Sequence, residues 1–285
     1  MASSLSSWFD GCGVIMRGLS PGRLKVPMPE GDTIAYAAKR LRPVLEGHVP
    51  DEIRTPQRRH AMDRWPERLG GRVITEITTH GKHLFVHFEG ELTLHSHLRM
   101  TGAWGVYTPG RRPRRSMRRA WLVLRRGSTE VVEFDGPVLE LLTESRARLD
   151  RRLAGLGPDV LADEFDYARF LARLRGDDPT RGIGDALLDQ RNIAGIGNLW
   201  KSESCFDSGV DPWRRTGDVS DAEARAIVDA ARPRMRRSAD TGDQASDRRV
   251  FRRGGEPCPR CRTTIRARGQ GDDNRTTFWC PGCQR

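Results

Sequence analysis

Cys258-Pro-Arg-Cys261 and Cys280-Pro-Gly-Cys283 close the chain, with eighteen residues between the two pairs. Two short-spaced pairs supply four thiolates for one zinc ion, and a two-stranded hairpin between them would close the site. Four thiolates leave no open position for water, so the predicted zinc is structural. The competing reading is a pair of disulfides, which a cytosolic protein rarely keeps. Cys12 and Cys205 read as ordinary residues.

The remainder must build larger cores. The chain has 285 residues, 36% hydrophobic and 31% charged, enough for two compact domains and a small appendage. No run of eighteen apolar residues is present, which excludes a membrane-spanning helix. Residues 1–27 lack the basic start, apolar run and cleavage site of a secretory signal, so a cytoplasmic protein is expected. Net charge is +11, and the only lysines are Lys25, Lys39, Lys82 and Lys201. Arginine grips phosphate through a planar fork, and neutralising phosphates releases counterions, so nucleic acid is the natural partner. An arginine-rich, solubilising surface explains the charge equally well.

Residues 32–41 read as a short helix, with Asp32 as N-cap, Ile34, Ala37, Ala38 and Leu41 at helical spacing, and Pro43 beyond its end. After Gly70-Gly71 the pattern turns to strands at 72–79, 82–88 and 91–98, with Glu89-Gly90 as a hairpin turn, then at 120–126 and 130–134. Several short strands imply a β-sandwich or barrel. The loop Arg111–Arg119 carries six arginines and reads as either a phosphate-contacting arm or a solvated loop. A linker is expected around Gly155–Asp163, helices over 164–238, a polar flexible connector over 239–247, and the zinc module from about Val250.

Within the helical part, Gly195 and Gly197 permit tight turns, and Asn198 would cap a helix beginning at Leu199. Free N–H groups at such a helix start suit a phosphate. The same pattern also fits a plain helical hairpin.

Four motifs in order carry a family resemblance: Pro29-Glu30-Gly31-Asp32, Gly81-Lys82-His83-Leu84, Gly195-Ile196-Gly197-Asn198, and the cysteine finger ending Phe278-Trp279-Cys280-Pro281-Gly282-Cys283-Gln284. From Pro29 to the C-terminus the chain resembles the formamidopyrimidine-DNA glycosylase and endonuclease VIII family of base-excision enzymes. Pro-Glu-Gly and Gly157-Pro158-Asp159-Val160 look like the endonuclease VIII branch.

The resemblance implies an α+β chain of two domains. An N-terminal β-sandwich with a helix (29–154) precedes a helix-two-turns-helix domain (155–238) and a four-cysteine zinc finger (250–285). It implies a bifunctional DNA glycosylase and abasic-site lyase acting on damaged double- or single-stranded DNA, as a monomer. Pro29 would attack the sugar C1′ as an amine nucleophile and form a Schiff base. Glu30 would protonate the opening sugar. Lys82 would contact phosphate or assist elimination, and Arg275 would hold a phosphate and aid the δ-elimination. Asn198 would grip the backbone beside the lesion. Arg99, Met100 and Thr101 match the wedge that fills the gap left by the extruded base. Cys258, Cys261, Cys280 and Cys283 would hold one structural zinc.

Departures from the family pattern sharpen the expectation. Thr33 replaces a second carboxylate, Leu156 stands where an arginine often precedes Gly-Pro-Asp, and 205–250 lacks the long loop that caps 8-oxoguanine. The last points to oxidised pyrimidines. A Schiff base needs Pro29 with a free amine, so residues 1–28 read as a mis-assigned start. Alternatives are a cleaved extension or a non-catalytic DNA-binding relative. His80, His83, His87, His95 and His97 raise a metallohydrolase reading, but no carboxylate stands at ligand spacing, so they are expected to be sheet histidines.

Overall fold

The computed structural model describes residues 29–285 apart from 112, 114 and 247. The extension 1–28, with Cys12, and Arg112 and Arg114 of the arginine loop lie outside the described residues.

The first element, α1 (Gly31–Leu45), buries Ile34, Ala38, Leu41 and Leu45, a stripe at helical spacing. It runs four residues past the expected end, with Pro43 inside its last turn. Leu45, 1% exposed, belongs to the sheet core, and its burial favours the extra turn. Glu30, not Asp32, is the N-cap; Asp32 is buried within the first turn and bonds elsewhere.

After β1 (Glu52–Arg54) come two short helices, α2 (Arg58–Ala61) and α3 (Trp65–Leu69). Seven strands follow: β2 (Ile74–His80), β3 (His83–Phe88), β4 (Leu92–His97), β5 (Ala103–Tyr107), β6 (Ala120–Arg126), β7 (Thr129–Phe134) and β8 (Val138–Thr143). They form two antiparallel four-stranded sheets, ordered β1-β6-β7-β5 and β2-β3-β4-β8. One core joins Leu122, Leu124 and Val131 of the first sheet to Ile77, Val86 and Leu94 of the second and to α1. Each such buried aliphatic side chain contributes roughly 1.5–3 kcal/mol. Strands β1, β5 and β8 are additions to the sequence expectation. The turn between His80 and His83 is two residues long, and Gly81 takes the φ of +56° that it requires.

Helices α4 (Glu144–Leu149) and α5 (Arg151–Ala154) lead into the seam between the two bodies. The expected linker is packed there: Gly157 N donates to Gln190 O at 2.8 Å, and Ala194 N donates to Pro158 O at 2.9 Å. Leu156 and Val160 are buried.

The helical body comprises α6 (Tyr167–Arg175), α7 (Ile183–Ala186), α8 (Asn198–Ser208) and α9 (Asp221–Thr241) around Phe170, Leu187, Ile196, Leu199, Ile227 and Met235. A Ser220–Glu223 capping box starts α9, and Gly242 at φ +75° ends it. Residues expected as a flexible connector are therefore partly helix, and Gln244 beyond them is buried. The hairpin β9 (Arg266–Gln270) and β10 (Arg275–Trp279) follows, with Arg275 opposite Gln270 and Trp279 opposite Arg266.

Candidate active site

Where the two bodies meet, three stretches of main chain touch. Gly31 N donates to Gly195 O at 2.9 Å. A Cβ on Gly31 would lie 2.9 Å from the Gly195 Cα, and one on Gly81 would lie 2.8 Å from the Gly195 N. Asp159 of the Gly-Pro-Asp motif clamps the junction, accepting Gly81 N–H at 2.9 Å through Oδ2 and Leu161 N–H at 2.9 Å through Oδ1.

Glu30 crosses this seam. Its Oε2 accepts Gly197 N–H at 3.0 Å and Trp200 N–H at 3.3 Å, and its Oε1 accepts Leu199 N–H at 2.8 Å. Burial pushes its carboxyl up to about 7, against the Lys82 charge and the amide bonds that favour the anion. Burial likewise lowers the Lys82 ammonium to about 8, opposed by Glu30.

Pro29, Glu30, Lys82, Arg99, Met100, Asn198 and Arg275 all line one cavity of about 270 Å³. They are drawn together from both bodies; Thr101, the third residue matched to the wedge, is not among the residues that line it. Met100 is 55% exposed at the tip of a tight loop, with Arg99 at φ +44°. Arg115 holds that loop by donating from Nη1 to Thr101 O at 2.6 Å and to Asp135 Oδ2 at 3.0 Å. Arg115 of the arginine loop is thus a brace, and Arg119 also pairs with Asp135.

Asn198 is the first residue of α8, and Gly197 is its N-cap, so the expected side-chain cap is absent. The helix start is satisfied by Glu30 instead, which frees the Asn198 amide to donate to Thr276 O of the finger at 2.8 Å. One of its two N–H donors remains for a ligand. Lys201, one turn further on, is fully buried and donates from Nζ to Thr277 Oγ1 at 2.5 Å. These two bonds register the hairpin bearing Arg275 against α8.

The thiols of Cys258, Cys261, Cys280 and Cys283 lie within 4.8 Å of one another, with Sγ pairs at 3.8 and 3.4 Å. A tetrahedron of sulfurs around zinc at about 2.3 Å has edges of about 3.8 Å, so the donor set fits the ion. Among the described residues this is the one group of His, Cys, Asp or Glu side chains gathered closely enough to hold a metal. His83 Nδ1 instead meets His95 Nε2 at 2.8 Å, and His80 Nε2 donates to Gly157 O at 2.9 Å.

Sequence reasoning missed several residues at the seam. Asp159 sat inside a motif already noted, and Lys201 was one of four lysines in an arginine-rich chain. Asp32 is a fully buried carboxylate one residue before Thr33, and nothing local marks it as such.

Fold and site together define a helix-two-turns-helix, zinc-finger protein built around a cationic cleft between two bodies. Residues 28–137 match the formamidopyrimidine-DNA glycosylase N-terminal domain, 156–249 the formamidopyrimidine-DNA glycosylase H2TH domain, and 255–285 the zinc finger found in FPG and IleRS. The chain belongs to the formamidopyrimidine-DNA glycosylase and endonuclease VIII family. It is 42% identical to the probable endonuclease 8 2 of Streptomyces coelicolor, over 90% of this chain and 94% of that protein. It is 37% identical to the DNA-(apurinic or apyrimidinic site) lyase Nei2 of Mycolicibacterium smegmatis, over 90% of this chain and 99% of that one. The fold matches Lactococcus lactis Fpg, solved with DNA containing an abasic site, at a TM-score of 0.76 and 22% identity, covering 90% and 99% of the two chains. The cysteine finger is a site for one structural zinc.

Proposed function

We propose that this chain is a bifunctional DNA glycosylase and abasic-site lyase of base-excision repair. One observation carries the reading: a proline nitrogen, a protonable carboxyl and the cations Lys82 and Arg275 line a single cleft between two bodies. Relatives named endonuclease 8 and abasic-site lyase support it.

In this reading, the neutral Pro29 nitrogen forms a bond to C1′ of an extruded nucleotide, and the C1′–base bond breaks with its electron pair leaving on the base, which takes up the proton that the Pro29 nitrogen sheds. Glu30 in its acid form protonates the ring oxygen as the C1′–O4′ bond opens, leaving an iminium between Pro29 and C1′. Loss of a C2′ proton expels the 3′-phosphate, and a second elimination expels the 5′-phosphate. Lys82, Arg275 and Asn198 hold the flanking phosphates, and Arg99 and Met100 fill the vacated stack. The turn after α9 is short, which supports oxidised pyrimidines as substrates. A net charge of +11 supports residence on DNA. Residues 29–154 would form the catalytic domain, 155–238 the DNA-binding domain and 250–285 the finger, acting as a monomer. Among the described residues no helix is long and apolar enough to cross a membrane.

An amide nitrogen cannot form the iminium, so the reading applies to the chain form that starts at Pro29. Borohydride trapping on oligonucleotides with an abasic site or thymine glycol tests it, using the full chain and a form initiated at Met28 with that methionine removed. A covalent adduct with the short form alone is expected. Tight DNA binding with no adduct from either form would make this protein a binding-only relative.

A further inference from the structure

Four consecutive residues, Glu30 to Thr33, bond to the helical body, and the chemistry above uses only the first. Asp32 Oδ2 accepts the Ser238 hydroxyl at 2.5 Å, and its Oδ1 accepts Gln244 Nε2–H at 3.0 Å. Gln244 Nε2 also donates to Thr33 Oγ1 at 2.9 Å. Asp32 is 0% exposed, and its two partners lie more than 200 positions away in sequence. A buried carboxylate is costly unless its partners are fixed, so these bonds hold the turn after α9 in one place. The Gly242 turn lies against the Tyr36 ring of α1, where a Cβ would come within 2.7 Å.

The held segment walls a second cavity, of about 210 Å³, lined by Pro29, Tyr36, Leu98, Trp104 and Gln244 among others. Pro29 is the one residue it shares with the cationic cleft. The two spaces differ in chemistry. The cleft, with Lys82, Arg99 and Arg275, suits the sugar and phosphates. The second cavity, with the Tyr36 and Trp104 rings, aliphatic side chains and the polar ends of Arg40, Arg115 and Gln244 at its walls, suits a planar base with polar edges.

We propose that Asp32 is a positioning residue that latches the Gly242–Gln244 turn onto α1 and so forms the wall of the base cavity. The inference rests on the glycosylase reading. It separates two activities of the same enzyme: release of a base needs the wall, whereas cleavage at a site already lacking its base does not.

The test uses the chain starting at Pro29, with single-turnover rates on a thymine glycol oligonucleotide and on the same sequence carrying a preformed abasic site. Asp32→Ala and Gln244→Ala should each slow thymine glycol release about tenfold or more and leave abasic cleavage within about threefold. Asp32→Asn keeps an acceptor for Ser238 but sets an amide N–H against Gln244, so it should fall between Ala and parent. Gln244→Ala removes a neutral side chain from a turn and keeps the test valid if Asp32→Ala misfolds. Equal losses on both substrates, or no loss on either, overturn the latch. A parent chain that forms no borohydride adduct overturns the glycosylase reading and the latch with it. A parent that traps normally while the variants keep their base-release rate overturns the latch alone.

Discussion

The Glu30 carboxylate caps a helix that belongs to the other body: its Oε1 accepts the Leu199 N–H at 2.8 Å at the start of α8. Helix starts carry unpaired N–H groups and a partial positive charge, both of which favour a bound anion. Burial opposes this, and it wins, leaving the carboxyl near 7. Glu30 thus fixes the relation of the two bodies and remains able to carry a proton.

Base release should therefore depend on pH in a defined sense. The acid form of Glu30 is populated below about 7 and lost above it. The Pro29 amine must be neutral, which an α-amino group becomes above about 8. A bell-shaped single-turnover profile with its maximum between those values is expected. Glu30→Gln should remove the alkaline limb and lower base release by about 10²–10⁴-fold. An alkaline limb that survives in Glu30→Gln would assign the acid to another group.

The finger should act through Arg275. Metal analysis should find one zinc per chain. Arg275→Ala should keep that zinc, weaken DNA binding about tenfold and reduce the salt slope by about one counterion. Cys280→Ser should lose the zinc, lower Tm and weaken binding at least as much, because β10 ends at the metal site. Unchanged DNA binding in the zinc-free variant would dissociate the finger from recognition.

Glu133 gives a stability prediction away from the site. It is 0% exposed, accepts the Ser96 hydroxyl at 2.7 Å, and is pushed up to about 8 by burial. The folded chain keeps a proton that the unfolded chain releases above about 4.5, so stability falls as pH rises from about 4.5 to about 8. Glu133→Gln keeps the acceptor and cannot ionise. Its Tm advantage over the parent should grow across that range, by about 2–4 °C per kcal/mol relieved. Parallel Tm curves for parent and variant would show that Glu133 ionises as readily in the folded chain as in the unfolded one.

The parts of this molecule legible in sequence are those whose physics is local. The cysteine pairs, the Glu89-Gly90 turn and the α1 stripe each specify themselves within a few residues. β8 was not legible because both of its faces are mostly apolar: Val138, Glu140 and Leu142 alternate with Leu139, Leu141 and Thr143, so no period-two contrast marks the strand. The end of α1 was missed because packing of Leu45 outweighed the break expected at Pro43. The candidates around Pro29 were found by family resemblance. Asp32, Ser238 and Gln244 were not, since their meaning exists only once residues more than 200 apart are brought together.

Gly31, Gly81 and Gly195 meet backbone to backbone, with no room for a β-carbon on the first two. The spacing between Pro29 and the phosphate grip of α8 is consequently set by main-chain thickness, the one dimension that substitution cannot alter. This junction works as a machinist's stop: side chains on either body can drift and repack while the gauge of the cleft holds. Mutational tolerance should accordingly be sharply uneven here, nil at these glycines and broad at solvent-facing positions a few residues away.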